Sequence, residues 1–328
     1  MEQAGRGWDS EALDLAAYLA RISYEGDLAP TVRTLRALQR AHSGAIPFEN
    51  LEIILGRPIP LDLEALQDKM VRGARGGYCY EHTRLLAAAL ERLGFGVTGL
   101  AARVRMGSDR LRAATHALLL VEVPGSPGSP GSPGDGGNGG DSGSRWICDI
   151  GFGEGPIEPI ELAEGTESAQ GGWRFRLDRL TPQEWVLRSL RRSAPDSPPD
   201  SALDSAPGSP SGSPQGSAHG SSYGSPPAED WLDLHSFTLD PRHPVDYVVI
   251  NHYISTHPNS PFVSRPVVRR PGPEVLYGLT GTMLTAHRPD GSAEERRLEP
   301  GEVPKVLAET FGVRLGPADA AALVARLS

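Results

Sequence analysis

From Val97 onward the apolar residues of this 328-residue chain change their period, and that change limits the fold more than any other feature of the sequence. Before it, Leu13, Ala16, Ala17, Leu19 and Ala20 recur at helical spacing, as do Val32, Leu35, Leu38 and Gln39, with Thr31 after Pro30 as a helix start. A third short helix is expected over 61–71. A fourth opens at Cys79, where Leu85, Leu86, Ala89, Leu90 and Leu93 share a face and Gly94 stands where a left-handed C-terminal cap belongs. Beyond Val97 come strand-like runs at 100–105, 114–123, 145–153 and 173–177. Helices followed by a run of strands indicate an α+β fold rather than alternating βαβ units, so no dinucleotide-type sheet is implied. The sequence has no phosphate-loop motif either.

Two segments stand outside this pattern. Pro124 to Ser144 contains only Pro, Gly, Ser, Asp and Asn, and Ser193 to Ala228 is nearly as poor in large apolar residues, with Leu203 and Tyr223 isolated. Such composition buries too little to offset the entropy of ordering, so both are expected to be disordered surface insertions. The formal charge of −9, from 32 basic and 41 acidic residues, argues against a nucleic-acid-binding or anionic-membrane surface. No apolar stretch approaches the roughly 18 residues of a membrane span, and the N-terminus has no signal core. Two cysteines give no disulfide framework. A soluble, cytoplasmic protein is expected.

One of those cysteines carries the chemistry. Arg75-Gly76-Gly77-Tyr78-Cys79 places Cys79 directly after a glycine loop at the start of a helix, where the free N–H groups and the positive end of the dipole favour a thiolate. His116 begins the run 114–123 and Asp149 ends the next one, so the two belong to an antiparallel pair if those runs form a hairpin. They share a face in registers where paired residue numbers add to an odd total, as when His116 stands opposite Asp149. A cysteine, a histidine and an acid in separate segments make a nucleophile, a base and an orienting group. Cys148, adjacent to Asp149, points to the other side and reads as a buried structural thiol. His252 and His257, with Asp240 and Asp246 nearby, lack the spacing of metal-ligand pairs, and no metal is expected.

Five blocks in order resemble the bacterial arylamine N-acetyltransferases: Ile46-Pro47-Phe48-Glu49-Asn50-Leu51, Arg75-Gly76-Gly77-Tyr78-Cys79, Thr115-His116, Asp149-Ile150-Gly151-Phe152-Gly153, and 251–262 from Asn251 to Phe262. The resemblance implies a papain-like cysteine core. It would comprise an N-terminal helical bundle (1–95) carrying the nucleophile, a central β-barrel (96–240) carrying the histidine and aspartate, and an interdomain segment with a C-terminal α/β lid (241–328). It further implies Cys79, His116 and Asp149 as catalytic residues and Phe48, Thr115, Gly151, Phe152 and Phe262 at the substrate cleft. A Glu49–Arg75 salt bridge would brace the loop of Gly76 and Gly77. The implied activity is acetyl-CoA-dependent N-acetylation of arylamines or arylhydrazines, ping-pong through an acetyl-cysteine thioester, in xenobiotic metabolism. Two other enzymes fit the same three residues, an amide synthase closing macrolactams in polyketide biosynthesis and a thiol hydrolase. One departure is Thr83, where the resembling family commonly has asparagine.

Overall fold

In the computed structural model, residues 7–125, 143–191 and 230–328 are described. The two insertions, 124–144 and 193–228, therefore lie outside the described residues except for the ends of the first. Helix α1 (Leu15–Arg21) starts where Asp14 accepts the Ala17 N–H, and α2 (Val32–Ala45) where Thr31 accepts the Thr34 N–H, so both begin at side-chain caps. A two-residue strand β1 (Phe48–Glu49) and the turn-long helix α3 (Leu51–Ile54) follow. The helix expected over 61–71 is in fact α4 (Leu63–Leu66), which widens into a π-helical segment over Gln67–Arg72. Gln67 Nε2 donates to the Leu63 carbonyl at 3.1 Å, an acceptor that the Gln67 backbone N–H also uses. Helix α5 (Cys79–Arg92) runs through the centre of the molecule, and Gly94 beyond it has φ 89°, as the C-terminal cap requires.

Eight antiparallel strands come next: β2 (Gly96–Val104), β3 (Ala114–Val123), β4 (Ser144–Cys148), β5 (Ile160–Glu161), β6 (Thr166–Gln170), β7 (Trp173–Arg179), β8 (Glu184–Arg191) and β9 (Asp230–Thr238). They form one sheet in the order β5-β4-β3-β2-β9-β8-β7-β6, whose edge strands β5 and β6 meet, so the barrel is nearly closed. Helices α6 (Pro244–Thr256) and α7 (Pro261–Ser264) lead to a second sheet of β10 (Val267–Arg270), β11 (Leu276–Thr280), β12 (Met283–His287) and β13 (Ala293–Arg297), followed by α8 (Val303–Thr310) and α9 (Pro317–Leu327). Strand β1, from the helical part of the chain, pairs with β10 and completes this sheet. Among the described residues no helix is long and apolar enough to cross a membrane.

Strand β3 is buried on both faces, and the alternation of its side chains explains how the site is assembled. Ala117, Leu119 and Val121 pack against α5 and the other helices, while Leu118 and Leu120 fill the barrel with Leu100, Phe175, Leu187 and Phe237. In β4 the same alternation turns Cys148 towards the helices and Ile147 into the barrel. His116 and Asp149 thus take the barrel side together, two residues from Leu118 and Ile147 respectively. A third core joins Leu51 and Ile54 to Val268, Leu279, Leu307 and Phe311 of the C-terminal part.

Candidate active site

Cys79 is the first residue of α5 and is 5% exposed. The loop that delivers it has no room for side chains: a Cβ on Gly76 would stand 2.1 Å from the Pro47 carbonyl oxygen, and one on Gly77 2.9 Å from Glu81 Cβ. Arg75 donates to Glu49 at 2.8 Å and to Glu52 at 3.0 Å, so the predicted salt bridge is present, with a second acid attached. Burial pushes the Glu49 carboxyl up, but Lys69, Arg75 and the Leu51 N–H together hold it below its ordinary value. Glu81 accepts the Tyr78 N–H at 3.0 Å and Lys69 Nζ at 2.7 Å, fixing the first turn of α5. The fifth sequence block supports the loop from behind: Asn251 accepts the Tyr78 hydroxyl and donates to the Ile59 carbonyl. Thr83 donates its hydroxyl to the Ala117 carbonyl at 3.2 Å, so the departure at this position ties α5 to β3.

His116 lies beside Cys79, and its Nε2 is 2.9 Å from Asp149 Oδ1. A side-chain hydrogen bond with Cys79 also bears on the imidazole; with Nε2 engaged by Asp149, Nδ1 is the ring nitrogen left for sulfur. Burial alone would push His116 down, yet the Asp149 charge and hydrogen bond, with the Cys79 sulfur, push it up to about 10. Burial pushes Asp149 up, and His116 and His235 pull it well below the usual carboxylate range. The strand register differs from His116 facing Asp149. Leu119 pairs with Cys148, which keeps the odd total but displaces the ladder by two residues, so Asp149 reaches His116 from just beyond the end of β4. Cys148 is fully buried, and burial followed by the nearby Asp149 charge pushes its thiol up, the behaviour of an inert structural cysteine.

The residues expected at the substrate cleft fall into three places. Gly151 packs on Cys79, where a Cβ would stand 2.5 Å from Cys79 Cα, and Phe152 sets its ring edge-on to His116 at 5.1 Å. Phe48 and Phe262 pair with each other at 5.8 Å, and Phe262 meets Tyr78 at 6.2 Å. Thr115 contributes its carbonyl, which accepts the Tyr80 hydroxyl at 2.7 Å. A cavity of about 310 Å³ lies elsewhere, between Arg40, Glu158 and Pro273, and none of Cys79, His116 and Asp149 lines it.

One residue of the site was missed in the sequence. His235 of β9 places Nε2 2.8 Å from Asp149 Oδ2 and is wholly buried. The only signal for it was a lone histidine in a strand-like run between Leu234 and Phe237, with no motif around it. Ligand atoms of His116, Asp149 and His235 lie within 4.8 Å of one another, a spacing that suits a metal ion, but each Nε2 is already hydrogen-bonded to the carboxylate.

An N-acetyltransferase family model matches residues 31–129 and 140–320. The arylamine N-acetyltransferase of Mycolicibacterium smegmatis is 33% identical over 311 residues, covering 93% of this chain and 94% of that one. Among solved structures, the arylamine N-acetyltransferase of Nocardia farcinica superposes with a TM-score of 0.79 at 42% identity, over 99% of this chain and 98% of that one. The Mycobacterium marinum enzyme in complex with CoA gives 0.73 at 32% identity, over 96% and 98%. Agreement over nearly the whole length of sequence and fold makes this chain an acyltransferase belonging to the arylamine N-acetyltransferase family.

Proposed function

We propose that the chain moves an acetyl group from acetyl-CoA to an aromatic amine or hydrazine in two half-reactions through Cys79. In the first, the Cys79 thiolate attacks the thioester carbonyl, and CoA leaves with the proton of the His116 imidazolium. In the second, the amine attacks the acetyl-cysteine carbonyl, His116 takes the amine proton and the thiolate is expelled. Thioester exchange is near-neutral in energy, whereas the amide is stable, so the second half-reaction draws the cycle forward. The backbone N–H groups of Cys79 and Tyr80 precede the first backbone hydrogen bonds of α5 and are suited to the oxyanion. Gly151, Phe152, Thr115, Phe48 and Phe262 shape the cleft in this reading, with flat apolar rings suited to an aromatic acceptor. The CoA complex of the Mycobacterium marinum relative supports CoA as the carrier of the acyl group. Both cysteines are free thiols, which suits a reducing cytoplasm.

The observation that carries this proposal is the continuous contact from Cys79 through His116 to Asp149 in a buried setting. Intact-protein mass spectrometry after incubation with acetyl-CoA alone tests it. One added acetyl group is expected on Cys79, removed when an arylhydrazine is supplied. Acetylation mapped to Cys148, or full transfer activity in Cys79→Ala, would refute the assignment.

A further inference from the structure

Asp149 is held by two histidines, and only one of them touches the nucleophile. His116 takes Oδ1, while His235, from across the barrel, takes Oδ2 at 2.8 Å. The second imidazole is rigidly placed. Strand β9 pairs with β2 on one side and β8 on the other, opposite Val104 and Leu187 at this residue. The rings of His116, Phe152 and Phe237 surround it at 5.1, 5.1 and 5.9 Å.

We propose that His235 is a positioning residue for acyl transfer, a neutral imidazole that donates its Nε2–H to Asp149 Oδ2 and aims Oδ1 at His116. The inference rests on the Cys79–His116–Asp149 assignment above and adds a fourth member to it. Three observations fix the protonation of His235. Its Nδ1 is buried with no hydrogen-bond partner among the described residues. In an imidazolium, or with the proton on Nδ1, that atom would be a buried donor without an acceptor, which is costly. A bare Nε2 lone pair, in turn, would face a carboxylate oxygen at 2.8 Å and be repelled. Only the neutral form with its proton on Nε2 avoids both. Burial, and the His116 charge against the opposing pull of Asp149, also lower the pKa of His235.

This arrangement has a consequence at His116. With Oδ2 satisfied, Asp149 stays ionised and correctly turned, so His116 keeps its proton to alkaline pH. The groups facing His116 are Asp149 beyond β4 and Cys79 of α5, with His235 of β9 acting through the carboxylate. Tyr78, Tyr80 and Tyr247, near Cys79, are all pushed up chiefly by burial and remain neutral. Removing the His235 donor leaves Oδ2 buried and unpartnered, which raises the pKa of Asp149 and lowers that of His116.

The test is the single-turnover rate of Cys79 acetylation by acetyl-CoA, measured against pH in His235→Phe and His235→Gln. Because protonated His116 supplies the proton for departing CoA, the alkaline limb of this profile reports its ionisation. The phenylalanine variant should lose about ten- to a hundredfold in rate and shift the alkaline limb to lower pH. The glutamine variant, whose amide N–H replaces the donor, should keep the limb of the wild type and most of its rate. An unmoved limb in His235→Phe, or a limb that His235→Gln fails to restore, overturns the proposal and leaves His235 a packing residue. Should the phenylalanine variant not fold, ¹⁵N imidazole spectra of the wild type decide: a proton on Nε2 and a bare Nδ1 at neutral pH are required, and any other state overturns it. Failure of the triad assignment would look different, since the wild type would then take up no acetyl group on Cys79.

Discussion

A carboxylate with an imidazole on each oxygen is held in one orientation, and this sets what Asp149 would contribute in the proposed reaction. Its side chain is wholly buried, so its charge is tolerable only because His116 and His235 surround it. Asp149→Asn keeps the shape but offers an N–H where an acceptor is needed, so His116 is held in the wrong tautomer. Acetyl transfer should fall by roughly 10⁴-fold in a protein that still folds, and near-normal kinetics would remove Asp149 from the site. The same contact makes stability depend on pH. The folded-state pKa of His116 is raised from 6.5 to about 10, so the stabilisation is full below 6.5 and is lost as pH rises through about 10. Over that alkaline range the melting temperature of the wild type should fall more steeply than that of Asp149→Asn. Parallel curves would show that His116 and Asp149 are not coupled in solution.

At the scale of elements, the loop before α5 is held by charges rather than by its own conformation. Glu49 is completely buried and Arg75 is its main hydrogen-bonded cation, with Lys69 behind. Arg75→Ala leaves that carboxylate without its direct partner. We expect a loss of roughly 3 kcal/mol in urea unfolding, reduced when Glu49→Gln is added, because the second change removes the stranded charge. A loss of less than about 1 kcal/mol, the scale of an exposed pair, would show that Lys69 alone suffices. Much of this element was legible in advance: the glycine loop, the cap at Gly94 and the Glu49–Arg75 pair all leave local or familiar marks. The π-helical turn over Gln67–Arg72 was not, since the apolar pattern of 61–71 does not distinguish it from a regular helix. His235 was equally hidden, because its partner lies 86 residues earlier and only barrel closure brings them together.

At the scale of the whole molecule, the switch from helical to strand period foretold α+β layers, but the pairing of β1 with β10 joins residues far apart in sequence and leaves no local trace. Hairpin pairing of β3 with β4 was anticipated; its two-residue displacement was not, because both registers keep the same faces buried. That ladder makes a clear prediction about the first insertion. Val123 pairs with Ser144, so the segment between them joins strands that are already adjacent, and β3 is clamped by β2 on its other side. The geometry of His116 and Asp149 is therefore set by the ladder and by the cores on both faces of β3, while the connection adds only closure entropy, which changes slowly with length. Ser144 belongs to β4 and is kept; replacing 124–143 by a four- or five-residue turn containing glycine should preserve acetylation of Cys79 and raise the melting temperature slightly. Placing an equally long Gly/Ser stretch inside 114–121 should abolish activity by breaking the ladder itself. A shortened variant with native circular dichroism that no longer acetylates Cys79 would show that the insertion, and not only the strands it connects, forms part of the acyl-donor site.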